Sequence, residues 1–161
     1  MKYQIIGDTT ILYDTKGHEI LIDTNQLEKV LQYNWTVVRK NYVRCTSRKI
    51  GRIPLHRYLL GVDKQVDHIN RNPLDNRLSN LRLCTTQQNN MNRTVRKDSK
   101  SGHKGITIVP NRNAKYRARI QLNGRRMTIG YYETLEAAVD AYESVAKELF
   151  GEYAPPISRK F

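Results

Sequence analysis

The segments 66–70, 76–82 and 88–90 combine one acid, one imidazole and repeated carboxamides at a spacing that suits hydrolysis of a phosphodiester bond. Asp67 offers a carboxylate oxygen of the kind that Mg²⁺ prefers, and the adjacent His68 can take up a proton near neutral pH. Asn80 and Asn89 offer neutral oxygens that can orient a neighbour or bind a cation. We therefore interpret the segment 66–92 as a metal-dependent nuclease site.

A polar loop rich in turn-forming residues is the alternative for this segment, because seven of the 23 positions from 70 to 92 are Asn. Leucines nevertheless recur regularly through it, which favours an ordered loop. They are Leu74, Leu78, Leu81 and Leu83.

The charge of the chain predicts a polyanionic partner. Its 161 residues include 28 Lys or Arg against 15 Asp or Glu, a formal net charge of +13, which is typical of proteins that bind nucleic acid or an anionic membrane. No apolar run approaches the ~20 residues of a membrane-crossing helix. The apolar stretch within residues 1–8 is too short for a signal peptide. We expect a cytoplasmic protein with no membrane association.

The two cysteines, Cys45 and Cys84, are not in a Cys-x-x-Cys pair and are expected to be reduced and buried. This count excludes a four-cysteine structural zinc site, so any metal is expected to be catalytic.

The first half of the chain is predicted to form an antiparallel sheet with two short helices. Four segments rich in β-branched and aromatic residues, separated by turns, predict the strands: 10–13, 19–23, 35–39 and 42–46. One helix is expected after Asp23 or Thr24, with Leu27, Val30 and Leu31 facing inward, and another from Pro54 to Gly61. The nuclease segment should then form a strand at 66–69, a long loop, a strand at 81–84 and a helix from Thr85, which has capping-box spacing to Gln88.

The last third predicts a sheet with one cationic face and one apolar face. In residues 115–122, alternation puts Arg117, Arg119 and Gln121 on one side and apolar residues on the other. A helix is expected from the Thr134 cap to Gly151, with an apolar stripe that covers the apolar face of the sheet. The stripe contains Leu135, Ala138, Val139, Tyr142, Val145 and Leu149, and the acids Glu136, Asp140, Glu143 and Glu148 lie off it.

Residues 50–95 resemble the HNH endonuclease family in its phage and intron-encoded homing branch. The resemblance is carried by Leu55-His56-Arg57, Val66-Asp67-His68-Ile69-Asn70, Asn76-Arg77-Leu78-Ser79-Asn80-Leu81-Arg82 and Asn89. It implies that Asp67 and Asn89 bind one Mg²⁺ or Mn²⁺, that His68 is the general base, and that Asn80 orients His68 or braces the loop. Asn90 and Asn92 are alternatives to Asn89. For His56, structural packing or a phosphate contact is favoured over catalysis.

The region after residue 103 is similar to the plant ethylene-response-factor DNA-binding domain, which implies three antiparallel strands on one helix with the open sheet face in the DNA major groove. The similarity lies in residues 102–106, 115–120, 128–132 and 137–142. The residues predicted to bind DNA are Arg57, Arg77, Arg82, Lys104, Arg112, Arg117, Arg119, Gln121, Arg126 and Thr128.

Together these features predict an α+β protein: N-terminal antiparallel strands leading into a ββα-metal nuclease core, then a three-stranded antiparallel sheet packed on one helix. The expected domains are 1–97, with the core at about 54–95, a linker at 98–103, a DNA-binding domain at 104–154 and a tail at 155–161. The expected function is a homing-type endonuclease that acts on double-stranded DNA as a monomer or homodimer. The alternative is a DNA-binding regulator with a catalytically silent HNH scaffold.

Overall fold

A computed structural model describes residues 1–93, 95, 98–110 and 115–154, except for the side chain of Lys40. The chain divides into two compact units, Met1–Cys84 and Thr85–Phe161. The fold is mixed, with several small antiparallel sheets and few helices, in agreement with the α+β prediction at this level. No helix in the described part of the chain is both long enough and apolar enough to cross a membrane. The predicted tail and part of the predicted linker lie outside the described residues.

The N-terminal unit begins with a three-stranded antiparallel sheet in which strands adjacent in sequence pair. Its strands are β1 (Lys2–Ile6), β2 (Thr9–Tyr13) and β3 (Glu19–Asp23). Alternation along β2 and β3 buries Leu12, Ile20 and Ile22 completely. They pack in one cluster with Trp35, whose indole Nε1 donates to the Val30 carbonyl over 2.8 Å.

A second antiparallel sheet follows, so the prediction of one sheet for this region was wrong. It contains β4 (Thr36–Val37), β5 (Val43–Ser47) and β6 (Gly51–Pro54). The predicted strand at 35–39 shrinks to two residues, because a short 3₁₀ turn begins at Arg39. Both predicted helices are present, as α1 (Leu27–Leu31) and α2 (Leu55–Leu60). Leu31 was predicted to face inward but is 38% exposed, because α1 ends there after little more than one turn.

The predicted order of strand, loop, strand and helix is confirmed for residues 66–92. Strand β7 (Val66–His68) pairs antiparallel with β8 (Leu81–Leu83), and α3 (Thr86–Asn92) follows in sequence. Thr85 accepts the Gln88 backbone N–H, and the Gln88 side chain accepts the Thr85 N–H, so the predicted capping box is formed. The chain divides between Cys84 and Thr85, and α3 therefore belongs to the C-terminal unit.

The C-terminal unit contains the predicted three strands and covering helix. Strands β9 (Ile106–Ile108), β10 (Tyr116–Leu122) and β11 (Arg125–Tyr132) form an antiparallel sheet with β10 in the centre. Helix α4 (Leu135–Phe150) buries Ala138, Val139 and Tyr142 against Ala118 and Ile120 of β10. Leu149, predicted to be in the apolar stripe, is 37% exposed, and Ala146 and Phe150 are buried instead.

The two cysteines form no disulfide. Cys45 is buried as predicted, but Cys84 is only half-buried because it follows β8 at the end of the N-terminal unit.

Candidate active site and nucleic-acid face

His68 is the last residue of β7, and its side chain lies in a buried cluster of rings. The chain turns after it: Ile69 N–H donates to the Asn80 carbonyl, and Arg71 N–H donates back to the His68 carbonyl, each over 2.9 Å. The regular strand, in which adjacent side chains point to opposite faces, therefore ends at His68. The His56 ring packs edge-on against His68, with ring centres 5.1 Å apart, and the Tyr42 ring lies 6.2 Å from His68.

The environment of His68 keeps its imidazole neutral. Burial lowers its pKa below the ordinary value of 6.5, although the Asn76 hydrogen bond and the charges of Asp67 and Asp75 oppose the shift. Burial also lowers the pKa of His56, to about 3, with smaller contributions from His68 and Arg57. Two neutral imidazoles therefore lie side by side at neutral pH, and both lose positive charge because burial disfavours it.

Asn76 contacts the His68 ring through its side-chain amide. Its Oδ1 lies 3.4 Å from His68 Nε2, and its own Nδ2 donates to the Pro73 carbonyl over 3.2 Å, which sets the orientation of the amide. An amide oxygen only accepts, so this contact places the proton of the neutral ring on Nε2 and the lone pair on Nδ1.

Asp67 faces Arg82 across the β7–β8 pair, and the two form a buried ion pair. Arg82 Nε and Nη2 both donate to Asp67 Oδ2, over 3.1 and 2.9 Å. The side chains are only 6% and 11% exposed, so neither charge has water as a substitute for its partner. The Asp67 carboxylate is thus held by Arg82 within the fold, in the residue directly before His68.

The loop between β7 and β8 is held by carboxamides and by the edge of the first sheet. Asn80 accepts the Asn70 backbone N–H over 2.9 Å and donates to the Asp75 carbonyl over 2.7 Å. Strand β3 bonds the loop through Leu21, whose N–H donates to Leu74 and whose carbonyl accepts from Asn76. The N-terminal sheet, for which the sequence suggested no role, thereby fixes the loop that carries Asn80.

Asn89, the predicted second ligand, lies in the first turns of α3 and is half-buried, and its N–H donates to the Thr85 carbonyl. Its neighbour Asn90 is exposed and Asn92 is buried. Among the described residues there is no group of three or more His, Cys, Asp or Glu that could hold a metal ion. Carboxylate and amide oxygens are ligands that Mg²⁺ accepts, and this ion commonly takes one or two protein carboxylates and completes its shell with water and phosphate.

The predicted DNA-binding residues separate into paired and unpaired groups. In the N-terminal unit, Arg57 pairs with Asp63, Arg77 with Asp75 and Arg82 with Asp67, at 2.8 to 3.1 Å. In the C-terminal unit, the side chains of Arg117, Arg119 and Arg126 make no hydrogen bond or ion pair with any residue that the structure describes. Arg112 lies outside the described residues.

The open face of the C-terminal sheet is formed by register. Arg119 faces Thr128, and Gln121 faces Arg126, across β10 and β11, and all four lie on the side opposite the buried Ala118 and Ile120. A groove of about 1120 Å³ adjoins this face, and none of the described residues lining it is acidic. Arg93 and Asn90 lie on its α3 side, and Arg119 and Arg126 on its sheet side. The predicted contact Lys104 lines it too, but its ammonium contacts backbone carbonyls at the end of α3.

Sequence reasoning missed Tyr42 and Asn76 as neighbours of His68. Tyr42 comes from the second sheet, 26 positions earlier, and no local pattern indicates that approach. Asn76 was one of seven similar asparagines, and its contact with His68 is seen only in the folded loop.

Comparisons with known proteins agree with these features. The sequence model described as HNH endonuclease matches residues 48–91. An uncharacterized HNH endonuclease, L560, of Acanthamoeba polyphaga mimivirus is 34% identical over 155 residues, covering 91% of this chain and 79% of the relative. Protein 3.8 of Escherichia phage T7 is 32% identical over 89 residues, covering 55% of this chain and 72% of the relative. No solved structure matches.

Proposed function

The chain belongs to the HNH endonuclease family, and from that premise we propose that it is a homing-type DNA endonuclease in which His68 is the general base. The observation that supports this best is the neutral, buried imidazole at the end of β7, next to the Asp67 that pairs with Arg82 and within the matched segment. We propose double-stranded DNA as substrate and a monomer or homodimer as the active form. Because the relatives come from a giant virus and a phage, we place this activity in the cytoplasm of an infected host cell.

His68 is suited to take a proton from the attacking water. The contact of Nε2 with Asn76 favours the tautomer whose lone pair is on Nδ1, and the lowered pKa keeps the ring neutral at neutral pH. The water oxygen bonds to phosphorus, its proton passes to Nδ1, and the bond from phosphorus to the 3′ oxygen breaks. Asn80 acts indirectly, because its two hydrogen bonds fix the loop that follows His68.

We propose that Asp67 and Asn89 hold one Mg²⁺ or Mn²⁺. Such an ion, when bound, stabilises the negative charge that develops on the phosphate and on the leaving oxygen. Arg82 supports the ligand role of Asp67, because its two hydrogen bonds fix the position of Oδ2.

The C-terminal unit is proposed to direct the enzyme to its target, in the manner of the ethylene-response-factor domains that it resembles. The open sheet face offers unpaired guanidinium groups beside Gln121 and Thr128, which is the composition of a surface that reads DNA. The acids of α4 follow the sheet in sequence, and Glu136, Asp140 and Glu148 are exposed.

The proposal is tested by incubating purified protein with supercoiled plasmid and with host genomic DNA, with Mg²⁺, with Mn²⁺ and with EDTA. We expect nicked or linear products with either metal and none with EDTA. His68→Ala should lower the rate by ~10²–10⁴-fold. Ile69→Ala, which truncates the neighbouring exposed side chain, should cleave at the wild-type rate.

Cleavage in EDTA would contradict the metal role, and wild-type cleavage by His68→Ala would contradict the base assignment. If the wild-type protein binds DNA but cleaves it under none of these conditions, the alternative of a regulator with a silent scaffold is supported instead.

A further inference from the structure

Helix α3 ends in a way that leaves its last carbonyls in need of donors. Its C-cap residue, Arg93, is extended, with φ −65° and ψ 143°, and no glycine closes the last turn. The carbonyl groups of the last turn of a helix have no partners within the helix itself. In α3 these groups are met by one side chain from elsewhere in the C-terminal unit.

That side chain is Lys104. Its Nζ lies 2.6 Å from the Asn90 carbonyl oxygen, 2.6 Å from that of Met91 and 3.3 Å from that of Arg93. An ammonium group has three donors and no acceptor, so these three carbonyls match its capacity. A positive charge at this end of a helix is also favoured by the helix dipole.

The backbone beside Lys104 packs closely against α4 and β10. Gly105 has φ +74°, and a Cβ at this position would clash with the Tyr142 ring and lie 2.5 Å from the Arg119 carbonyl oxygen. The next residue, Ile106, is buried in the same cluster as Met91 of α3. At the other end of α3, Gln87 Oε1 accepts the Asn123 backbone N–H over 3.1 Å.

We propose that Lys104 is a positioning residue that fixes α3 in the C-terminal unit and thereby holds the Asn89 side chain ready to bind a divalent cation. The proposal rests on the ligand role of Asn89 in the proposed function. It differs from the prediction from sequence that Lys104 binds DNA, because the ammonium contacts three carbonyl oxygens.

The test compares three variants with a reference protein that is unchanged at Lys104 and Lys147. Lys104→Met removes the charge and the donors but keeps most of the side-chain length, and Lys104→Arg restores both. Lys147→Met is the matched control, since it removes one positive charge from an exposed position in the same unit. All four proteins also carry His68→Ala, so that DNA stays intact while metal binding is measured.

The first readout is hydrogen exchange of the backbone amides of α3. We expect Lys104→Met to speed their exchange by about 5- to 30-fold, as loss of a favourable charge at a helix terminus does in partly buried settings. Lys104→Arg should recover most of the protection, and Lys147→Met should match the reference. Amides of β10 report whether the whole unit has loosened.

The second readout is the affinity of Mn²⁺ for the protein–DNA complex, followed by the electron paramagnetic resonance signal of free Mn²⁺. Lys104→Met should weaken Mn²⁺ binding by about 5- to 30-fold and leave DNA affinity in EDTA unchanged. A role in gripping phosphate instead predicts weaker DNA binding, a salt slope smaller by about one and unchanged Mn²⁺ affinity.

Unchanged exchange in α3, or faster exchange with unchanged Mn²⁺ affinity, overturns the proposal. Neither readout requires cleavage, so a wild-type protein that cuts no DNA would contradict the proposed nuclease function without deciding the role of Lys104.

Discussion

Among the residues that the structure describes, the arginines that were predicted to bind DNA are paired in the N-terminal unit and unpaired on the open sheet face of the C-terminal unit. Near the candidate active site, Arg77 and Arg82 each form an ion pair with a buried carboxylate, so their charges are already paired within the fold. On the open sheet face of the C-terminal unit, Arg117, Arg119 and Arg126 have no partner in the described part of the chain. Arg117, Arg119 and Arg126 are therefore available to a polyanion, whereas Arg77 and Arg82 are already paired with carboxylates.

The three arginine–aspartate pairs of the N-terminal unit differ in how deeply they are buried. Asp67 and Asp75 are 6% and 2% exposed at their side chains, whereas Asp63, the partner of Arg57, is fully exposed. Removing a partner from a buried charge is costly, but an exposed pair contributes little.

The largest expected effect is on the Asp67–Arg82 pair. Arg82→Met should lower the free energy of unfolding by about 3–5 kcal/mol, because Asp67 is left as an unpaired buried charge. Arg57→Met, the matched control, should cost about 1 kcal/mol or less. Urea denaturation followed by Trp35 fluorescence measures both. Equal losses would show that burial does not distinguish the two pairs.

Acid should destabilise the protein through its buried histidines. Folded His56 has a pKa of about 3, but an unfolded histidine binds a proton below about 6.5. The unfolded state therefore binds more protons between these values, and stability falls as the pH drops through this window. The slope is at most about 1.4 kcal/mol per pH unit for each such histidine, and the lowered pKa of His68 acts in the same direction.

This pH dependence is measured by urea denaturation between pH 7.5 and 4.5. That range stays above the region in which Asp14, with a pKa of about 2, gains its proton. His56→Gln should flatten the slope. An unchanged slope in His56→Gln would show that His56 is not the group responsible.

Asn80 should affect rate and stability together. Asn80→Ala leaves the Asn70 N–H and the Asp75 carbonyl without their partners, which we expect to cost about 1–3 kcal/mol of stability and to slow cleavage. Ser79→Ala, at the exposed neighbouring position, should change neither. Full stability and full activity in Asn80→Ala, measured by denaturation and plasmid cleavage, would reduce Asn80 to an ordinary loop residue.

The smallest effects are expected on the open sheet face. Arg117→Ala or Arg119→Ala should weaken target binding by ~1–3 kcal/mol if the residue reads a base edge, with relaxed preference at that base. A residue that only grips phosphate should weaken all sequences equally and lower the salt slope by about one. Arg125 faces Leu122 across the same strand pair, on the other side of the sheet, so Arg125→Ala is the control. Unchanged binding in both Arg117→Ala and Arg119→Ala would remove the open face from the DNA contact.

The sequence predicted the elements that have a strong local pattern. The alternation in β10, the caps of α3 at Thr85 and of α4 at Thr134, and the end of α2 at Gly61 all follow from neighbouring residues. Strand β1 was missed because all five of its residues are exposed, so it has no alternating pattern of burial.

The contacts around the site could not be predicted in the same way. The Asp67–Arg82 pair depends on cross-strand register over 15 positions, and the approach of Tyr42 to His68 depends on how the second sheet packs. Lys104 was predicted to bind DNA because the sequence gives its charge. The carbonyl oxygens that its ammonium contacts are brought near it only by folding, so the sequence could not indicate them.

The most direct test of separate roles for the two units, cleavage by the first and target binding by the second, compares His68→Ala with Arg119→Ala. The single-turnover cleavage rate and the DNA dissociation constant are measured for each variant. His68→Ala should lower the cleavage rate by ~10²–10⁴-fold and leave DNA affinity intact. Arg119→Ala should lower DNA affinity but cleave at the wild-type rate once DNA is saturating. If the two variants lose rate and affinity in the same proportion, or if His68→Ala cleaves like the wild type, the account is contradicted.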